Sequence, residues 1–459
     1  MKLLIILLLI IIPLNTKARE TTNESIISVE NMDSQKLTDN NENTFITIKK
    51  GTKINFTSNT NIYGIYIRYE LKSAQGKLNS NEISKNIGEN NFLHEYIDLK
   101  DYPNTQYNLI YDDDVSIGEI NIIGAGDIPD FIEIWEPPLK EADLLLLSTH
   151  ADDEQLFFLG LLPTYVAKGA NVQVAYFTNH NDNPKRLHEQ LHGLYVVGIR
   201  NYPIIGPIPD AFSKNLDDAI KNINKHNISL DDAINYQIEL IRRFKPQVIV
   251  GHDENGEYSH GQHILNTHTL KLALEKSNDP TFHPESAEKY GTWNVPKTYL
   301  HLYHKNQITM DYDTKLDYFN GLTAYEVSKK GYKEHHSQEW TWFTKWINGK
   351  NNEYTKATDI KTYSPIKFGL YRSLVGADVG KNDMFENLTF RKDQIPPIKE
   401  TEKITEEKPI KEIQNENEEI KKEKKPTKNN KDLNIFLIII ATIVSTAVII
   451  CLINQKKSK

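Results

Sequence analysis

The sequence predicts an α/β domain of Rossmann-like, parallel-sheet type, preceded by a small all-β, sandwich-like domain and followed by a C-terminal transmembrane helix. Three observations predict it. Short apolar runs alternate with helical stretches between residues 140 and 390, period-two runs separated by Gly, Asn and Asp precede them, and a long apolar stretch lies near the end of the chain. Strand–helix alternation implies parallel pairing with right-handed crossovers. Short alternating strands with turn residues between them imply an antiparallel sandwich. At 459 residues the chain is too long for one ordinary domain.

Taken in order, residues 1–18 read as a signal peptide: Met1-Lys2, an apolar run from Leu3 to Leu14, then the small-residue stretch Thr16-Lys17-Ala18. Residues 19–135 form the β-rich region. In Ile65-Tyr66-Ile67-Arg68-Tyr69-Glu70-Leu71 the residues Ile65, Ile67, Tyr69 and Leu71 share one face of a half-buried strand. Thr44–Lys49, Lys53–Thr57 and Glu119–Ile123 read the same way. Carbohydrate binding and simple packing over the neighbouring domain are two roles that suit such a module equally. Asp112-Asp113-Asp114 reads as a solvated turn rather than a calcium site, since no regular oxygen-ligand spacing accompanies it.

Residues 140–390 carry the α/β core. A strand at Leu144–Ser148 precedes a helix from Asp152 to Lys168, and Val172–Thr178 is a strand before a helix at Pro184–Val197. A helix at Asp231–Arg243 leads to a strand at Val248–Gly251, a helix at His260–Glu275 and a strand at Thr298–Tyr303. Residues 391–432 collapse to Lys, Glu, Pro, Asn and Thr, a composition that reads as a disordered charged linker. Leu433 to Ile453 is apolar over about 30 Å at about 1.5 Å per helical residue, long enough to span a bilayer, and residues 454–459 read as a basic cytoplasmic tail. Together with the signal peptide, this places the N-terminal catalytic region at the cell exterior or in a lumen, as a single-pass membrane protein.

The chemistry concentrates at two strand ends, where open α/β sheets place their ligands. Leu144-Leu145-Leu146-Leu147 runs into His150-Ala151-Asp152-Asp153-Glu154. By itself this segment has two readings: a helix start capped by Asp, or a cluster in which His150 and Asp153 face one cation and Asp152 handles a proton. Val248-Ile249-Val250 runs into Gly251-His252-Asp253-Glu254-Asn255-Gly256-Glu257-Tyr258-Ser259-His260-Gly261-Gln262-His263, whose His260 and His263 share a helix face at i,i+3. Together the two clusters supply two imidazoles and a carboxylate, a ligand set of catalytic zinc sites. A cysteine site is excluded, because Cys451 is the sole cysteine.

Thr149-His150-Ala151-Asp152-Asp153-Glu154 and Gly256-Glu257-Tyr258-Ser259-His260-Gly261-Gln262-His263 resemble the paired motifs A-H-P-D-D-E and G-E-Y-G-H-x-x-H of the LmbE/PIG-L-like family of metal-dependent de-N-acetylases. Thr149, Ala151 and Ser259 depart from the pattern without removing a functional group. Thr178-Asn179, Arg186-Leu187-His188-Glu189 and His335-His336-Ser337-Gln338 echo the same family. The resemblance implies that His150, Asp153 and His263 hold the metal, that Asp152 is the general base, and that His260 stabilises the oxyanion or protonates the leaving amine. It implies Arg186 in substrate binding, with Glu189 beside it at i,i+3. Zinc suits the ligand set, and so does ferrous iron. His335 divides evenly between site member and surface histidine, and Trp340, Trp342 and Trp346 read as core anchors.

The function implied is removal of N-acetyl groups from N-acetylglucosamine-type sugars of a glycan or glycolipid, with release of acetate. An amidase acting on another acylated amine, or a carbohydrate-binding protein without catalysis, are the alternatives. A net charge of −8 with no basic face excludes nucleic-acid binding. Sequons begin at Asn23, Asn55, Asn227 and Asn387 in an asparagine-rich chain, so they do not fix the host.

Overall fold

The computed structural model describes residues 20–394. Its N-terminal part consists of two antiparallel sheets. One joins β1 (Ser25–Val29), β3 (Lys53–Ile62), β8 (Asn104–Tyr111), β5 (Gly76–Asn79) and β6 (Ser84–Ile87) in that order. The other joins β2 (Ile46–Ile48), β9 (Val115–Ile123), β4 (Gly64–Tyr69) and β7 (His94–Asp98). The strand β4 is not half-buried as its alternation predicts. Tyr66 is fully buried on the second face, packed with Ile123 and Ile132, while Leu71 falls outside the strand and is exposed. A second packing partner covers the face that would otherwise meet water. At the Asp112–Asp114 turn, Lys49 Nζ and the Lys50 amide donate to the Asp114 carboxylate.

The following six-stranded sheet is mixed. Its order is β11 (Val172–Tyr176), β10 (Leu144–Ser148), β12 (Val248–Gly251), β13 (Lys297–His301), β15 (Lys367–Ser373) and β14 (Gln307–Thr309). The first four are mutually parallel and entirely buried, which is why Leu144–Ser148 and Val248–Gly251 read as apolar runs; Lys297–His301 is buried as well, although its polar residues make the sequence alternate. The last two are antiparallel additions at one edge, and the sequence reading misses both. The strand order reverses at β10: β11 lies on one side and β12 on the other. The crevice at their carboxyl ends is a topological switch point, where such sheets bind ligands.

Local signals explain most helix boundaries. Helix α5 (Leu230–Phe244) starts on a capping box between Ser229 and Asp232, and α8 (Ala324–Lys333) on one between Thr323 and Glu326. The single helix expected over 152–168 is instead two: α1 (Asp153–Leu156) and α2 (Leu161–Ala167). Gly160 between them has φ +87° and lies against the Tyr312 ring, so the break needs a residue without Cβ. Helices α3 (Pro184–Val196), α4 (Leu216–Lys225), α6 (Gly261–Lys276) and α7 (Pro284–Tyr290) complete the layers over the sheet.

Among the described residues, no helix is long and apolar enough to cross a membrane. The single-pass placement, with its exterior-facing catalytic region and its membrane attachment through a C-terminal helix, is corrected accordingly. The longest described helix, α6, has 16 residues and buries polar groups such as Gln262 and Asn266, short of the roughly 20 apolar residues a span needs. The stretches that carry the signal peptide, the charged linker and the apolar span (residues 1–18, 395–432 and 433–453) lie outside the described residues.

Candidate metal centre

The two strand-end clusters meet. The His150 Nδ1, Asp153 Oδ2 and His263 Nε2 atoms form a nearly equilateral triangle, with edges of 3.2, 3.2 and 3.1 Å. Tetrahedral zinc with bonds of about 2.0–2.1 Å separates its ligand atoms by roughly 3.3 Å, so the spacing fits. The tautomers fit as well. His150 Nε2 faces the Gln262 carbonyl oxygen at 3.0 Å, an atom that also accepts the Ala211 amide, so the His150 proton sits on Nε2. His263 Nδ1 faces Glu257 Oε2 at 2.8 Å, so its proton sits there. Two imidazole lone pairs and a carboxylate oxygen therefore converge on one point. Burial opposes protonation of His263, yet Asp153 and Glu257 push it up to about 10, which shows how strongly the point favours positive charge.

The capping account of the first motif does not hold. Asp152 occupies the residue before α1 but makes no side-chain cap bond, and its φ is +113°. Asp153 spends Oδ2 on the His150 amide at 2.7 Å. Asp152 instead lies on the wall of a cleft of about 290 Å³, with His150, Asp153, Arg186, Asp210, Phe212, Tyr258, His260, Gln338, Trp342 and Phe343. Burial pushes its carboxyl up to about 7, against the pull of Arg186. A backbone in a sparsely populated conformation at such a place is a common mark of a functional site.

His260 caps α6: its Nδ1 accepts the Gln262 amide at 3.2 Å, which puts the ring proton on Nε2. Burial holds this imidazole low, so it is neutral. Arg186 on α3 bridges the Asp210 carboxylate (2.7 Å), the Ala151 carbonyl (2.6 Å) and Asp152 Oδ1 (3.3 Å). Glu189 does not support Arg186; it accepts the Ser337 amide and hydroxyl at 2.7 and 2.5 Å. His335 is fully buried, with Nε2 on Glu154 Oε1 at 3.0 Å, and so is no surface histidine. Of the tryptophans, Trp346 packs against the core, but Trp340 and Trp342 are 82% and 52% exposed and the latter lines the cleft. The core reading is corrected for both, because the loop that carries them rises over the crevice.

The sequence reading gives no role to several residues that build the site. Buried Glu257 accepts from His252, His263 and His301 at 2.8, 2.8 and 2.6 Å. Burial penalises its charge, but His252 and the other imidazoles hold it well below the usual carboxylate range. His252 cannot also serve as a ligand, although its donor lies near those of Asp153 and His263, because its Nε2 accepts the Thr149 amide at 3.0 Å. His180 and Asp210 extend the polar wall, linked at 3.3 Å. The same strand-end logic that marks His150 could have found His180, which follows β11. Asp210 sits in a loop that no pattern marks.

Residues 145–274 match the family model described as PIG-L: GlcNAc-PI de-N-acetylase. A 1D-myo-inositol 2-acetamido-2-deoxy-alpha-D-glucopyranoside deacetylase 1 from Catenulispora acidiphila is 26% identical over 184 residues, covering 35% of this chain and 56% of that protein. The corresponding deacetylase 2 from Saccharopolyspora erythraea is 29% identical over 178 residues, covering 34% and 63%. An N,N'-diacetylchitobiose deacetylase structure from Pyrococcus horikoshii aligns with 15% identity and a TM-score of 0.38, over 51% of this chain and 85% of that one. Over residues 145–274 the α/β part of this chain is therefore similar to the PIG-L family. The chain spans about 50–63% of the length of these and similar curated relatives.

Proposed function

We propose that the protein is a zinc-dependent de-N-acetylase that hydrolyses the acetamide of N-acetylglucosamine-type sugars to a free amine and acetate. The observation that carries this reading is the triangle of lone pairs on His150, Asp153 and His263 beside the buried carboxylate of Asp152. The names of the relatives, all deacetylases of 2-acetamido-2-deoxy-glucopyranosides, support the substrate class. His150, Asp153 and His263 would hold the metal; when bound, it lowers the pKa of water and polarises the acetamide carbonyl.

The chain's own groups supply the rest. Asp152, whose buried carboxyl is poised near neutrality, takes a proton from the attacking water and returns one to the leaving amine. His260 presents its Nε2–H into the cleft, a neutral donor suited to the developing oxyanion. Arg186 fixes the Asp152 carboxylate and faces the cleft for sugar hydroxyls. Half-exposed Trp342 and exposed Phe212 offer faces on which a pyranose ring stacks.

The test measures acetate released from inositol-linked N-acetylglucosamine, chitooligosaccharides and an N-acetylglucosaminyl glycolipid, with and without chelator. Release should vanish with chelator, return with zinc, and fall at least about 100-fold in Asp152→Asn, the usual scale for a lost general base. Full turnover by Asp152→Asn would overturn the assignment. Release of a different acid from another acylated amine would move the substrate class.

A further inference from the structure

A second cluster of imidazoles and carboxylates lies outside the cleft, where the β-sandwich meets α3. The helix carries His188-Glu189-Gln190-Leu191-His192, a spacing that sets two histidines on one face. Both turn toward the sandwich. His94, on β7, places Nε2 at 2.7 Å from His188 Nδ1, and the Glu42 Oε2 atom lies 4.0 Å from the same nitrogen. His94, His188 and Glu42 each offer a donor atom within 4.8 Å of the others.

Two further residues orient these donors. Glu133 accepts from His94 Nδ1 at 2.7 Å and from His192 Nδ1 at 2.5 Å. The His94 proton is therefore on Nδ1, and its Nε2 lone pair faces inward. His192 Nε2 in turn sits 3.1 Å from Glu42 Oε1 and 3.3 Å from Oε2, and Oε2, which also accepts from Arg68 at 2.9 Å, is the oxygen that faces the histidines. A carboxylate behind a ligand imidazole is the usual support of a metal site, and Glu257 plays that part for His263 in the cleft.

With His94 Nε2 bare, the 2.7 Å contact needs the His188 proton on Nδ1, and His188 Nε2 is then a fully buried acceptor with no partner. A divalent cation between the two rings would take the inward lone pairs of His94 Nε2 and His188 Nδ1 and put the His188 proton on Nε2, an atom without a hydrogen-bond partner in either state.

We propose that His94, His188 and Glu42 form a second divalent-cation site of the zinc class, with His192 and Glu133 orienting the ligands. A cavity of about 460 Å³, walled by Glu42, Arg68, Glu133, Lys185, Glu189 and His192 among others, reaches the Glu42 side of it, while His94 and His188 lie buried behind that wall. The site ties β7 and the Glu42 loop to α3 two residues beyond Arg186, so it braces the helix that presents Arg186 to the cleft. It is not a protease-type centre: Glu189, the acid of that spacing, is held by Ser337.

The experiment titrates the full chain, stripped of metal, with Zn²⁺ alone, and reads bound metal and thermal stability. Wild type should bind two equivalents, and His263→Ala and Glu42→Gln one each. Their combination should bind none. Zinc should raise the melting temperature of His263→Ala by several degrees, and that shift should disappear when Glu42→Gln is added. A His263→Ala chain that binds no zinc, or a Glu42→Gln chain that binds as many equivalents as wild type at unchanged affinity, overturns the proposal. The wild-type and His263→Ala arms decide the matter even if Glu42→Gln does not fold. None of these readouts depends on acetate release, so the deacetylase reading and this one fail separately.

Discussion

Replacing Glu257 by Gln removes one charge from a site where every neighbour depends on it. The carboxylate takes three imidazole N–H groups, and Oε1 also accepts the Asp253 amide at 3.2 Å. A glutamine oxygen can face only one side. If it keeps His252 and His263, its NH₂ meets the Asp253 N–H, while His301 can hold its proton on Nε2 toward the Ser364 carbonyl at 3.1 Å and accept at Nδ1; if it turns, His252 and His263 lose their acceptor. Each buried mismatch costs about 1–3 kcal/mol, and the orientation with a single mismatch sets the expected destabilisation at about 1–3 kcal/mol. The zinc affinity of the cleft should fall about 10–100-fold, or about 1.4–2.8 kcal/mol, because His263 no longer has Nδ1–H fixed and Nε2 free. Competition against a chromogenic zinc chelator measures the affinity, and urea unfolding of the metal-free chain measures the stability. An affinity within twofold of wild type, at unchanged stability, would refute the orienting role.

Three further outcomes are expected. Ser259 has φ +61° and its side chain is exposed, so Ser259→Gly should relieve left-handed strain and stabilise the chain by about 1 kcal/mol in urea titration, with activity kept. Buried Glu119 has one oxygen without a partner, and burial lifts its carboxyl from 4.5 to about 7 despite Arg68. A carboxyl raised on folding favours the native state below its unfolded value and loses that contribution as pH rises through about 7. Glu119→Gln should therefore raise the melting temperature more at pH 8 than at pH 5, and equal shifts at both would count against the buried charge. Trp342→Ala should raise KM for N-acetylglucosaminyl substrates about 10-fold through lost stacking while the melting temperature moves by no more than about a degree, since the ring is half exposed; steady-state kinetics and calorimetry check both.

Much of the site is legible because its residues cluster at strand ends. Leu144–Ser148 and Val248–Gly251 are all-buried runs, and each delivers its polar cluster directly, so adjacency in sequence predicts adjacency in space. The same reasoning holds less well where packing intervenes. The helix over 152–168 breaks at Gly160 because the Tyr312 ring, far away in sequence, occupies the space a Cβ needs. Trp340 and Trp342 look like core residues by composition, yet Trp340 is exposed to solvent and Trp342 lines the cleft. The β14 and β15 strands are too short or too broken by polar residues to be read in isolation.

The sequence by itself determined the alternation that makes a parallel sheet, the place of both motifs at its carboxyl edge, and the residue types able to hold a cation. Those follow from short-range physics: periodicity, turn chemistry and the lone pairs each side chain carries. Only the tertiary structure decided which atom of each imidazole faces the centre, since the tautomer depends on partners such as Gln262 and Glu257 that folding brings together. It also decided that Asp152 is buried enough to sit near neutrality. The junction of His94, His188 and Glu42 is likewise a product of folding: its members lie up to 146 residues apart, and no local pattern links a strand of the sandwich to a helix of the other domain.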